Sequence, residues 1–491
     1  MEAAAKRTAE SPLARRLKSR HLQMIAIGGS IGTGLFVNSG KALSSGGPAS
    51  LLIAFGIIGC MVFTVVHALG ELAVLFPVAG SFSTYSTRFI DPAWGFAMGW
   101  NYGLQWLVVF PLELVAASMT IEYWNSPVNK AVWVTIFWVC IVLINFFGVK
   151  GYGEAEFVFS MIKVVAVIGF IGFKGLCSVF VTAAFAFSGT ELVGLAAAET
   201  ANPRKSLPSA VKQVFWRITL FYIVALTLVG LLVPYNNSHL LGSSSVDATA
   251  SPFVIAIQNA GIKGLPSVMN VVIMIAVLSV GNSSVYGCSR TLASLGDMGL
   301  APRIFAYIDR EGRPLAGIIV TSLFGLLAYV ATSDAEGDVF NWLLALSGLS
   351  SIFTWGSVCL CHILFRRAWK VQGHSTDEIP FKAQAGVIGS YIGLAINILV
   401  LIAQFWIAVW PTGGTPNAVD FFQAYLAAPV VIVCYVGYKI YARTSFVRPS
   451  EADLVTGRRE VDVATLIEEI RLQKEELRAK PWYYRTYKFW C

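Results

Sequence analysis

Twelve apolar stretches separated by short polar connections account for most of the chain. They run over 22–44, 49–75, 93–121, 131–149, 155–173, 176–198, 213–234, 266–292, 315–332, 339–365, 386–410 and 421–442. Each is long enough to cross a hydrocarbon core of about 30 Å as a helix, several near the lower limit. Two are interrupted. In the first, Gly28-Gly29-Ser30-Ile31-Gly32-Thr33-Gly34 places four glycines in seven residues, and each glycine weakens a helix by roughly 1 kcal/mol against alanine. In the sixth, Phe185-Ala186-Phe187-Ser188-Gly189-Thr190-Glu191 breaks an apolar run near its middle. Close helix packing through small residues is the plainer account of either break alone. In hydrocarbon, though, unwound backbone survives only where it lines a cavity or is buried in protein. The first and sixth stretches are also five apart, and broken spans at matching places in two five-span halves mark an inverted-repeat transporter.

Composition agrees with a polytopic, all-α membrane protein. The chain is 56% hydrophobic and 13% charged, with a mean hydropathy of +0.66, against roughly 25% charge in a soluble protein. The charge gathers at the two ends and in short loops. The basic start followed by an apolar run resembles a signal peptide, but further spans follow and no convincing cleavage site is visible. With the N-terminus inside, cytoplasmic segments hold 31 of the 36 Lys and Arg residues, leaving Lys41, Lys130, Lys174 and Lys263 outside and Lys163 within a span. This asymmetry places both termini in the cytoplasm. Three parts follow: a cytoplasmic segment 1–21, a membrane domain 22–442 and a cytoplasmic tail 443–491. The net charge of +8 follows from these loops and requires no nucleic acid. The eight cysteines are scattered without a CxxC pair, so neither a metal site nor a disulfide framework is suggested, and no cofactor is called for. Within the tail, 462–480 reads as a short amphipathic helix with Arg471–Glu475 and Glu476–Lys480 at i,i+4 spacing. Asn236-Asn237-Ser238 fits a glycosylation pattern in an outer loop, close to the end of a span.

Paired half-helices offer N–H donors and positive dipole to an anion, while unwound carbonyls accept from an ammonium. That combination suits a zwitterion. A channel would need a continuous polar pore, which the pattern lacks. At this point the residues resemble a family. Ser30-Ile31-Gly32-Thr33-Gly34-Leu35-Phe36, Phe187-Ser188-Gly189-Thr190-Glu191, Ala198-Glu199-Thr200-Ala201-Asn202-Pro203-Arg204, Gly281-Asn282-Ser283 and Cys288-Ser289-Arg290-Thr291 are similar to the fungal amino acid permeases of the amino acid–polyamine–organocation superfamily, with a lean toward the general permeases. The likeness runs from His21 to Phe489-Trp490-Cys491. It implies a LeuT-type 5+5 inverted repeat plus two extra helices, with discontinuous first and sixth spans. It also implies proton-coupled import of L-amino acids across the plasma membrane, with broad specificity.

Carried over by position, the backbones of Thr33 and Gly34 would hold the substrate carboxylate. The carbonyls of Ser30 and Ser188 would take the ammonium. Phe185 or Phe187 would close over the substrate, against a background of ordinary core aromatics. Ser279, Val280 and Asn282 would line the side-chain pocket. Ionisable residues inside spans are costly and usually functional. Lys163 falls where sodium-independent relatives place a lysine at a sodium position, so it is a candidate for proton coupling or gating, with a structural pairing as the alternative. Glu191 and Glu113 are further candidates; a hydrogen-bonding role at the unwound turn would also explain Glu191. Glu71 and Glu199 lie near cytoplasmic span ends, where snorkelling or loop contacts suffice. The terminal Cys491 matches a family position associated with palmitoylation, and the tails offer surface to trafficking machinery.

The chain departs from the family between the fifth and sixth spans. Relatives carry a polar outer loop there, whereas Ile171-Gly172-Phe173-Lys174-Gly175-Leu176 runs almost directly between spans. About four residues reach roughly 14 Å at most, enough for adjacent helices about 8–10 Å apart. Unwinding around Gly169–Gly175, with Lys174 at the outer surface, is expected. Alternatives of other classes are an amine or polyamine exchanger of the same fold and a non-transporting amino acid receptor. The short N-terminal segment argues against a receptor. No convergent His, Cys and carboxylate cluster suggests an enzyme.

Overall fold

The computed structural model describes residues 2–13, 17–28, 31–36, 38–167, 186–237, 240, 251–259, 261, 264–332, 336–410 and 416–458, with scattered positions from 468 to 485. Ser30, Phe185, Cys491, the 171–176 connection, Ser238 and most of the outer loop after it lie outside these residues. The architecture is all-helical; the one β-type contact among the described residues is an isolated parallel bridge between Leu17 and Thr200.

Among the described residues, six helices are long and apolar enough to cross a bilayer: Gly46–Leu75, Pro92–Trp124, Ser206–Leu232, Leu265–Met298, Trp342–Val371 and Gly386–Val409. A seventh is the pair Ala418–Tyr425 and Ala427–Ala442, bent by 67°. Lys130–Phe146 and Leu315–Val330 are apolar but shorter. The remaining three of the twelve apolar stretches are the broken first one, with helix at Ser19–Gly28 and Thr33–Phe36, the helix Gly148–Val167, and the sixth, described from Ala186 onward. Helix Asn38–Leu75 joins the outer half of the first stretch to the second, and its course changes at Gly47, whose φ of 67° suits a residue without Cβ. Pro48 follows, where a helix start tolerates the missing N–H.

Helix Pro92–Thr120 is the hub and is buried almost throughout. Asp91 caps it by accepting from the Ala93 N–H at 2.8 Å. Its partner along most of its length is Leu265–Met298, and small residues at the seam (Gly99 facing Leu295, Gly281 facing Glu113, Gly287 facing Trp106) let the backbones approach. By contrast, Gly386–Val409 turns Ile388, Leu399, Ile402 and Trp406 outward, an apolar belt appropriate to lipid contact.

The two ends of the described chain meet on one face. Ala79 N donates to Thr8 O at 3.1 Å, and Arg88 Nη1 to Thr456 O at 2.8 Å. The tail residue Asp453 sits under this strap. Burial opposes its charge, but the Thr456 N–H, the Arg88 guanidinium and the Val455 N–H hold its carboxyl below the usual range. In the tail, Arg471 pairs with Glu475 at 3.1 Å and Lys480 with Glu476 at 3.9 Å, all exposed.

Glu71 and Glu199, expected to snorkel or make loop contacts, are both fully buried. Glu71 accepts from Arg366 Nη2 at 2.9 Å and the Ala383 N–H at 2.7 Å, with His362 Nε2 at 3.1 Å. Glu199 accepts from Arg290 Nε at 2.8 Å and from the Tyr286 hydroxyl at 2.5 Å. Each clasps a helix end to a distant helix.

Candidate functional site

The first break follows from its glycines. Helix restarts at Thr33, and the N–H groups of Leu35 and Phe36 donate to Gly32 O, each at 3.1 Å. A Cβ on Gly32 would lie 2.4 Å from Val280 Cγ2, and one on Gly34 would lie 2.5 Å from Ala186 Cα. Val280 therefore packs on the first break from the eighth stretch, and Gly34 touches the backbone of the sixth break. The Thr33 hydroxyl donates to Glu113 Oε2 on the hub helix.

The sixth break is a turn from Phe187 to Thr190, closed by Thr190 N to Phe187 O at 3.3 Å, with Gly189 at φ 92°. Helix resumes at Leu192–Leu195. The Glu191 carboxylate folds back to accept the Gly189 N–H at 3.2 Å, and also takes the Tyr102 hydroxyl at 3.3 Å and Trp355 Nε1 at 3.2 Å. Glu191 thus ties the turn to the third and tenth stretches. Ser188 Oγ accepts from Gln105 Nε2 at 2.7 Å and from Ser351 Oγ at 3.1 Å. Phe187 points into the core, its ring 4.0 Å from that of Tyr222 and 5.9 Å from that of Phe55. Tyr222 lies in a π-helical stretch, Ile218–Val224, and its hydroxyl donates to Ala186 O at 2.7 Å. Such bulges often mark functional positions.

A third group lies beside the breaks. Lys163 is fully buried and donates to Ser279 Oγ at 2.8 Å. Ser279 donates to Glu156 Oε1, and Glu156 Oε2 accepts from Asn282 Nδ2 at 3.4 Å. Asn282 Oδ1 accepts from Asn145 Nδ2 at 2.8 Å. One polar layer therefore gathers Thr33, Glu113, Lys163, Ser279 and Asn282, while Ser188 and Glu191 head a second one on the other side of the Gly34–Ala186 contact.

Sequence reasoning passed over Glu156, Gln105 and Asn145. Glu156 is seven residues before Lys163, two helical turns on the same face. Gln105 is eight before Glu113, again one face. Gln105 Oε1, Glu113 Oε1 and Thr190 Oγ1 are buried with no hydrogen-bonding partner among the described residues. Buried acceptors and a hydroxyl in this state are costly unless something else meets them. Among the described residues no group of three His, Cys, Asp or Glu side chains could hold a metal ion.

The amino acid permease family model matches residues 21–173 and 171–450. The two pieces meet at the shortened connection. The chain is 61% identical to the general amino-acid permease GAP2 of Candida albicans, covering 99% of this chain and 88% of that protein. It is 57% identical to the general amino-acid permease GAP1 of Saccharomyces cerevisiae, covering 99% and 87%. It is 50% identical to the S-adenosylmethionine permease GAP4 of Candida albicans, covering 98% and 84%. The alignment to the first runs over 517 positions, against 491 residues here.

Proposed function

The chain belongs to the amino acid permease family, and on that footing we propose that it imports L-amino acids with protons across the plasma membrane, by alternating access around the paired breaks. It is a multi-pass membrane transporter, like its relatives, and not an enzyme. Twelve spans in a 5+5 repeat with two additional helices, both termini cytoplasmic, complete the reading.

The observation that supports it is the contact of Gly34 with Ala186, which sets the helix start just after the first break against the backbone just before the turn of the sixth, in a buried setting. On this reading the substrate carboxylate takes the N–H groups of Thr33 and Gly34. The ammonium takes the carbonyls of Ser30 and Ser188, with the idle Gln105 Oε1 beside Ser188 as a further acceptor. Val280, Ser279 and Asn282 bound the side-chain space. Phe187 is occupied in the core, which favours Phe185 as the closing aromatic. Glu191 holds the turn, and Glu113 and Lys163 serve coupling. Because Gly34 and Ala186 now touch, substrate entry parts the two breaks. Broad specificity rests on the general-permease relatives, and the name of the S-adenosylmethionine permease suggests that the same scaffold admits a bulky cationic amino acid derivative.

Uptake of a panel of labelled amino acids in a transporter-deficient cell tests the proposal. Accumulation of several neutral and cationic amino acids, collapsed by an uncoupler, is expected; failure to accumulate any of them contradicts it. Lys163→Ala is expected to lower accumulation and flatten its pH dependence by more than it lowers surface protein. Unchanged pH dependence would return Lys163 to a structural role. Acyl-exchange labelling of wild type against Cys491→Ser checks the tail: signal in the wild type alone is expected, and equal signal removes the acylation.

A further inference from the structure

Lys163 does not stand alone at mid-membrane. Two turns along the same helix, Glu156 is also fully buried, and the two charges are joined by one hydroxyl: Lys163 Nζ donates to Ser279 Oγ at 2.8 Å, and Ser279 Oγ donates to Glu156 Oε1. Beyond Glu156 the polar chain continues toward the face where the chain ends meet. Ser283 stands beside the carboxylate, and its hydroxyl is 3.0 Å from the Tyr152 hydroxyl. The Tyr152 ring stacks on Tyr286 at 4.1 Å and 7°, and Tyr286 donates to Glu199, the partner of Arg290.

We propose that Glu156 is the inner proton acceptor of the transport cycle, receiving the proton of Lys163 through Ser279 before its release to the cytoplasm. In the step, a Lys163 Nζ–H bond breaks and that proton joins Ser279 Oγ. The proton already on Oγ passes to Glu156 Oε1. The ammonium becomes an amine, the carboxylate becomes a carboxylic acid, and the serine is unchanged. No net charge moves out of the pair, and two buried charges become two neutral groups. Desolvation favours the neutral pair and mutual attraction favours the charged one, so the two forms can trade places when a conformational change alters solvation.

The surroundings of Glu156 contain few competing charges. On its own helix these are Lys163 and the phenol of Tyr152. The third stretch contributes Glu113, which faces Lys163. The eighth offers Ser279, Asn282 and Ser283, with Arg290 and Tyr286 further along, and the fourth offers Asn145 behind Asn282. From the first stretch, His21 is engaged with the exposed Glu154 at 3.0 Å rather than with Glu156.

The assignment rests on the reading of Lys163 as a coupling group, and the test separates the two. The full chain is placed in proteoliposomes, and two rates are measured for one labelled amino acid: counterflow exchange, which needs no net proton movement, and accumulation driven by an imposed pH gradient. Glu156→Gln keeps the hydrogen-bonding shape but cannot accept a proton. It is expected to retain counterflow near the wild-type rate and to lose accumulation by about tenfold or more, with Glu156→Asp recovering part of it. Accumulation at the wild-type level and pH dependence in Glu156→Gln overturns the assignment. So does equal loss of both rates without recovery in Glu156→Asp, which marks a structural role. If Glu156→Gln fails to fold because Lys163 is left charged, Glu156→Asp takes its place: a shifted pH dependence of accumulation with counterflow retained supports the relay, and wild-type accumulation and pH dependence overturn it. A wild type with counterflow but no gradient-driven accumulation overturns the coupling reading and this assignment together. Normal wild-type accumulation with an unaffected Glu156→Gln overturns this one alone.

Discussion

Gly34→Val is expected to lower amino acid uptake by about a hundredfold or more, while protein at the cell surface changes far less. Even the Cβ of alanine at this position would lie 2.5 Å from Ala186 Cα and 2.9 Å from Ala186 N. Those are backbone atoms, with no flexible side-chain end to yield, so the two broken stretches must separate. A displacement of roughly 1 Å at a positioning site costs on the order of a hundredfold in rate. Gly34→Ala should sit between wild type and valine, because it demands the smaller separation. Surface labelling measured beside uptake distinguishes lost transport from lost protein. Uptake near normal in the valine variant would remove the first break from the site.

Arg290→Met should have the largest effect on stability. Arg290 is the buried partner of Glu199, at 2.8 Å, and its guanidinium lies 3.8 Å above the Tyr286 ring. Removing one partner of a buried ion pair leaves the other charge uncompensated and typically costs about 3–5 kcal/mol. That is a large share of the stability of an ordinary domain. Poor surface expression and a lowered melting temperature in detergent are expected. The double variant Arg290→Met with Glu199→Gln, in which no charge is stranded, should recover much of the loss. A single variant as stable as wild type would show that Glu199 finds other partners or takes up a proton.

The breaks were legible in the sequence because they violate the apolar pattern with residues whose conformational meaning is local. Gly32 leaves room for the Val280 side chain, Gly34 for the Ala186 backbone, and Gly189 supplies a left-handed turn; all three follow from the absence of a Cβ. Thr33 and Ser188 were singled out from the motifs at those breaks, and Val280 and Asn282 from the resemblance of the eighth stretch to the family. Glu156 was hidden by its place in a glycine-containing run, Gly151-Tyr152-Gly153-Glu154-Ala155-Glu156, which looks like a loop edge. Its spacing from Lys163 was the available signal. Gln105 is one polar residue within an apolar run, and its importance comes from Ser188 and Ser351, partners 83 and 246 residues away. Glu71 and Glu199 were ascribed to snorkelling or loop contacts because Arg366 and Arg290, which pair with them, lie 295 and 91 residues downstream. Local conformation can be read from residue type, whereas long-range pairing between helices cannot.

The central claim is that one amino acid binds between the two breaks, and a structure of the full chain determined with a bound L-amino acid tests it most directly. The account predicts the substrate carboxylate on the N–H groups of Thr33 and Gly34, and the ammonium among the carbonyls of Ser30 and Ser188 with Gln105 Oε1 nearby. Gly34 and Ala186 should have moved apart to admit it. Substrate held elsewhere, with Gly34 still against Ala186 and no contact to either break, would contradict it.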